Sequence, residues 1–300
     1  MKLALFIFLL GISIVAGAAC PPFASGDYET PAQARTAHTN AVRSGDWCLA
    51  GDTALHMTLD RIETNLDQAF STSAKAIEYF RRAGDYRKAS IEGLRMLSVF
   101  GPYANAPKLE KTRFEIVQAV YSAAVQLGTE KDGSWAEWAL GITFSNKNHP
   151  YLSLFQFEKD YPQSSERALI QRQKQELMNS YIQRELNVAN LLIKQKQTYA
   201  ALSRLETLYT QSMLIESPAF KAVVEHIIVL QDRLILEIPK MPRERLYVIS
   251  RSSMTGTISM PAIQNDVRAR MCKLIQTWPQ LDPKWVAPAA IVQIKNKNCR

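Results

Sequence analysis

Four cysteines, four histidines and twenty-eight acidic residues are the groups from which this 300-residue chain would build chemistry. Cys20 is the most informative of them by position. Met1-Lys2 is followed by LALFIFLLGISIVAGAA and then Cys20. A charged start, an uncharged apolar run and a small-residue exit are the layout of a secretory leader, expected here over residues 1–19. Cleavage after Ala19 makes Cys20 the first residue. Its thiolate then accepts a diacylglyceryl chain and its freed amine an N-acyl chain, and two or more chains anchor stably where one does not. Gly17 stands where such signals usually carry Leu, and an ordinary leader peptidase would cut the same Gly17-Ala18-Ala19 exit. With Cys20 acylated, Cys48, Cys272 and Cys299 permit one disulfide and one free thiol. Cys272 with Cys299 is the easiest pair, closing a loop within the tail. With Cys20 unacylated, four cysteines allow three full pairings, and export favours bridging.

Other constellations are missing. His38, His56, His149 and His226 are far apart and none forms H-E-x-x-H; no C-x-x-C occurs. A zinc site is therefore not expected. The twelve glycines form neither G-x-G-x-x-G nor a phosphate-cradling loop, and no serine sits in G-x-S-x-G. Carboxylates sit singly on helix faces, so no glycosidase-like pair can be singled out. The chain reads as non-enzymatic, with no metal and no cofactor besides the acyl chains on Cys20. The net charge of +8 is spread along helices, without a Lys/Arg block interleaved with aromatics. Solvated helix faces account for it, and nucleic acid is not an expected partner. A hydrophobic content of 47% with 21% charged residues is that of a globular chain.

The elements that must position these groups are helices. Ile170, Leu177, Tyr181, Val188 and Leu192 recur at intervals of 7, 4, 7 and 4, with Met178, Ile182, Ala189 and Ile193 beside them. Those spacings keep both rows on one face of a 3.6-residue helix. After a polar break at Lys194–Gln197, Ala201, Leu205 and Leu208 form a second stripe. Two such helices cannot bury their faces alone, so further helical pairs must flank them. Upstream, residues 31–43 read as a short helix. Residues 44–52 read as a turn-rich link holding Trp47 and Cys48, with Asp52 capping a helix that carries Leu55, Leu59, Ile62, Leu66 and Phe70. Downstream, residues 220–236 read as an apolar helix. Pro239 and Pro242 then break the pattern, Leu246–Ile249 is β-prone, and residues 263–278 read as a helix.

Several short motifs carry a resemblance. Ala76-x-x-Tyr79 followed by Gly84-x-Tyr86-x-x-Ala89 has the order of a tetratricopeptide repeat, and Phe100-Gly101-Pro102-Tyr103 ends the second helix. Tyr161-Pro162-x-Ser164, Glu185-x-x-Val188-Ala189 and Tyr199-Ala200-Ala201-x-x-Arg204 follow in order. Together they resemble BamD, the tetratricopeptide-like lipoprotein family of the outer-membrane β-barrel assembly (BAM) machinery. The resemblance covers residues 72–236. Ser98-Val99 replaces the family's Tyr-Pro, Ser203 stands where Asn is usual, and Leu191 and Leu192 replace tyrosines often found there.

The resemblance implies an all-α, tetratricopeptide-like helical-hairpin solenoid over residues 72–236; outside it, residues 20–30 read as lipid-anchor tether, 31–71 as a helical extension and 237–300 as an irregular tail capping the last helix. It implies a periplasm-facing outer-membrane lipoprotein that scaffolds a BamA-type barrel subunit and other BAM lipoproteins and aids insertion of β-barrel precursors. Tyr79, Tyr86, Phe100 and Tyr103 would line the substrate groove, if they are not simply repeat packing. Arg204, Leu191 and Leu192 would contact the partner subunit. An arginine fork suits a partner carboxylate, and the competing role for Arg204 is an ion pair within its own helix, with Glu206. The alternative to the whole reading is a soluble periplasmic tetratricopeptide adaptor for cell-envelope or peptidoglycan machinery, with two disulfides and no lipid.

Overall fold

A computed structural model describes residues 20–21, 28, 30–61, 65–100, 106–126, 134–142, 152–252 and 259–299. Among them all regular structure is helical: thirteen α-helices, short 3-10 turns and no strand. This is an all-α, helical-hairpin fold. No described helix is long and apolar enough to cross a membrane. The chain divides into two compact units, Met1–Gln126 with Glu137–Ala168, and Leu127–Ala136 with Leu169–Arg300.

The first unit begins with α1 (Pro31–Ser44), opened by a Thr30–Gln33 capping box and Pro31, and closed by Gly45 at φ +75°. Only glycine adopts that left-handed geometry cheaply. Asp46 accepts the Leu49 N–H and so starts α2 (Trp47–Arg61). The expected link over 44–52 is thus mostly helix, and Asp52 lies inside α2 rather than capping it. Asn65 caps α3 (Leu66–Arg82), and Asp85 caps α4 (Tyr86–Phe100) through the Lys88 N–H. α5 (Ala106–Gln126), α6 (Ser134–Leu140) and α7 (Leu154–Asp160) follow. α2 packs on α1 and α3, α3 on α4 and α5, and α5 on α4 and α7. Two glycines set the closeness of these hairpins. A Cβ on Gly51 would lie 2.5 Å from the Phe80 ring, and one on Gly93 would collide with Ile116. The buried Phe80 and Ile116 side chains have nowhere to withdraw.

The second unit is built on α8 (Arg167–Lys194) and α9 (Thr198–Tyr209). Ile170, Leu177, Met178, Tyr181, Ile182 and Ala189 are buried as the spacing predicts. Lys196 turns the chain between the helices at φ +60°. A 3-10 turn (Ser212–Glu216) leads to α10 (Phe220–Glu237), and another (Ile238–Lys240) to α11 (Arg243–Ser252). The expected irregular tail is instead helical, continuing as α12 (Met260–Leu281) and α13 (Ala289–Asn298). Leu246 and Ile249 are buried while Tyr247 and Val248 are exposed, which is helical spacing. α12 and α13 pack on α10, with Phe220 between Tyr209 and Trp278 at ring distances of 6.0 and 5.9 Å. Trp285 donates to Glu225 at 3.0 Å and Asn298 to Asp232 at 2.8 Å. The tail therefore covers the apolar face of α10.

Candidate functional site

In the structure the Cys20 sulfur is engaged by a second cysteine. Cys20 is bonded to Cys48 at 2.06 Å, and Cys272 to Cys299 at 1.95 Å; among the described residues no cysteine is free. A sulfur in a disulfide has no valence left for a thioether, so this arrangement and the expected acyl thioether on Cys20 are mutually exclusive. The expected tether also fails at its described residues. Cys20 is buried and its N–H donates to Asp85 Oδ2 at 2.8 Å. Lys88 donates to the Pro21 carbonyl at 3.3 Å, and Tyr28 packs on His56 with ring centres 5.6 Å apart.

Of the expected groove aromatics, Tyr79 is half-buried and stacked on Trp47 at 5.8 Å, with the Arg82 guanidinium 5.1 Å from the Trp47 ring. His38 meets Tyr79 at 5.6 Å and sets Nδ1 against the Ala50 carbonyl and the Thr53 hydroxyl at 3.3 and 3.2 Å. Burial pushes the Tyr79 phenol above its usual range and the His38 imidazole below 6.5. These rings seal the α1–α2–α3 contact. Tyr86 is half-buried at the start of α4. The side chain of Phe100 and the whole of Tyr103 lie outside the described residues.

The expected partner-contact residues lie in the second unit. The Arg204 fork holds Glu185 with both arms, Nη2 donating to Oε1 at 2.9 Å and Nε to Oε2. Glu185 is buried and Arg204 partly exposed. The arginine is therefore engaged across α8 and α9. Glu206 instead accepts from Gln231 and Arg270, both at 2.9 Å, joining α9 to α10 and α12. Leu191 is 55% exposed and Leu192 half-buried.

A cavity of about 230 Å³ opens in the second unit. The α8–α9 turn gives it Lys196 to Ala200, the end of α10 gives Glu237, the following turn Met241, and α11 gives Arg245, Val248 and Ile249. Most of the lining is apolar. Glu237 is occupied from within, accepting from Thr198 at 2.9 Å and Arg233 at 2.7 Å. Among the described residues, Lys196 and Arg245 take part in no ion pair. α9 also opens at the cavity without a side-chain cap, leaving first-turn N–H groups that favour an anion. A void of ~150 Å³ admits a benzene-sized group, whereas small-molecule sites run from ~300 Å³ upward. The cavity thus suits one large apolar side chain with a carboxylate beside it. Its walls come from three separated segments, and only the motif Tyr199-Ala200 pointed toward it in the sequence. Among the described residues no cluster of His, Cys, Asp or Glu is placed to hold a metal ion.

No family model matches this chain, and no curated protein matches it.

Proposed function

We propose that the protein is an exported, non-enzymatic helical adaptor without a lipid anchor, and that it docks partner proteins through the cavity of its second unit. The observation that carries this is the cavity itself, an apolar hole for one side chain flanked by Lys196, Arg245 and the start of α9. The leader pattern and two disulfides support export. The ligand is a peptide segment pairing a Leu- or Phe-sized residue with an adjacent carboxylate. Fluorescence polarisation with labelled ten-residue peptides carrying Leu-Asp, Leu-Lys or Ser-Asp tests it. Leu-Asp should bind best, and Lys196→Glu with Arg245→Glu should weaken it by about tenfold or more. Equal binding of the three peptides, or no effect of the double variant, would sink the proposal.

A second reading keeps the barrel-assembly role with partner docking in place of a lipid anchor. It is favoured by one observation: Glu185 and Arg204, from separate motifs of the BamD resemblance, meet as a single ion pair. Recovery of a large barrel subunit in a pull-down of the full chain would favour it, and recovery of envelope or peptidoglycan proteins alone would favour the soluble adaptor.

A further inference from the structure

A small buried charge cluster on the first unit is one cation short. Asp52 and Asp85 are both buried, at 5% and 9% exposure. Lys88 Nζ donates to Asp52 Oδ1 at 2.7 Å, so Asp52 has a countercharge. Asp85 has none. Its Oδ1 accepts the Lys88 backbone N–H and its Oδ2 the Cys20 backbone N–H, each at 2.8 Å. Burial raises the Asp52 carboxyl pKa, with the negative charges of Asp46 and Asp85 adding to the push. A buried carboxylate satisfied only by neutral donors is costly, and the one group placed to supply a charge is the Cys20 nitrogen.

We propose that the mature chain begins at Cys20 as a free, unacylated amine, and that this α-ammonium is the countercharge of Asp85. The sequence supplies the cut, since Gly17-Ala18-Ala19 is a small-residue exit ending at the bond in question. A leader peptidase hydrolyses the Ala19–Cys20 peptide bond. Water gives its hydroxyl to the Ala19 carbonyl carbon and a hydrogen to the Cys20 nitrogen, and the amine takes up a further proton. Its ordinary pKa of about 8 keeps it charged at neutral pH. A neutral amide N–H on Asp85 then becomes a charge-assisted contact, roughly twice as strong. The Cys20–Cys48 disulfide holds the new terminus in place and keeps the thiol from acyl transfer. Leader removal is thereby linked to the stability of the fold it releases. The proposal shares export and the absence of a lipid anchor with the adaptor reading, and peptide binding at the second unit is measured separately.

The first measurement is the mass of the N-terminal peptide from the full exported chain, non-reduced. The expected result is Cys20 at the terminus, linked to Cys48 and free of acyl mass. An acylated Cys20, or a terminus elsewhere, overturns the proposal. The second is labelling of the native protein with an amine-reactive acetyl ester at neutral pH. The Cys20 amine should react about tenfold more slowly than exposed lysines, because an ion-paired buried ammonium holds its proton. Asp85→Asn keeps a good helix cap while removing the charge, and should abolish that protection. A chain retaining Ala19 should melt lower than the mature chain, and Asp85→Asn should then cost it less than it costs the mature chain. Labelling as fast as an exposed lysine, or equal melting of the Ala19-retaining chain, overturns it.

Discussion

The two units spend their polar residues differently. The first places charge inside: Asp52 with Lys88, Glu115 with Arg81 at 3.3 Å, and Arg113, 3% exposed, with Asp160. The same unit draws its backbones together at Gly51 and Gly93. The second has a core of Phe220, Trp278, Leu205 and Ile228 and, apart from the pairs of the buried Glu185 and Lys174, carries its ion pairs at or near the surface, as with Arg270–Glu206 and Lys297–Asp232. It also exposes Leu191, Leu236 and Val248 and keeps a cavity open. Buried ion pairs add rigidity and specificity more than net stability, whereas an open apolar cavity gives up packing energy. The first unit is thus arranged to hold one geometry, and the second to leave a place unfilled.

The strongest way to break that contrast is through the disulfides, which close loops of similar length, 28 and 27 residues apart. By loop entropy each contributes about 3–4 kcal/mol. The double variants Cys20→Ser/Cys48→Ser and Cys272→Ser/Cys299→Ser should each lose hydrogen-exchange protection within their own unit. Loss in the same residues for both would dissolve the two-unit description. A smaller effect is expected at Arg204. Arg204→Ala leaves Glu185 buried without its fork and should cost about 1–3 kcal/mol, read as a lowered melting temperature. Glu185→Gln in that background should recover part of it. Without recovery, the pair is not what joins α8 to α9. The smallest effect concerns His38. Its native pKa lies below the unfolded 6.5 because burial opposes the charge, aided by Lys75 and Arg61. The native state then binds fewer protons than the unfolded chain, so this contribution is present above pH 6.5 and lost as pH falls through the lowered value. His38→Asn retains an amide donor for the Ala50 carbonyl and should flatten the melting temperature below pH 6.5.

How far the sequence reached follows the same division. The α8 stripe was legible because its burial repeats every three or four residues, whereas the helix expected to carry Leu55 through Phe70 is two helices, the second capped by Asn65. Gly51 resisted reading, because its reason is the distant Phe80 ring rather than a local turn. Leu246 to Ile249 looked like strand because four large residues in a row satisfy both periods, and only packing chooses i and i+3. Glu185 and Arg204 were both visible as motif residues, yet their meeting across two helices was not. Cysteine count allowed three pairings, and geometry selects one. The cavity left only the Tyr199-Ala200 motif as a local mark, since separate elements assemble it.

Lys196 shows what a position can be kept for. Among the described residues it is the one non-glycine with positive φ, at the point after a helix where glycine or asparagine normally relieves crowding at Cβ. A lysine there carries a steric cost of about 1–2 kcal/mol. Yet the same residue stands at the cavity mouth. The turn has been given to a side chain poorly matched to its backbone but well matched to a negatively charged visitor. Under the proposed docking role, that ordering of priorities is the one expected at a recognition site.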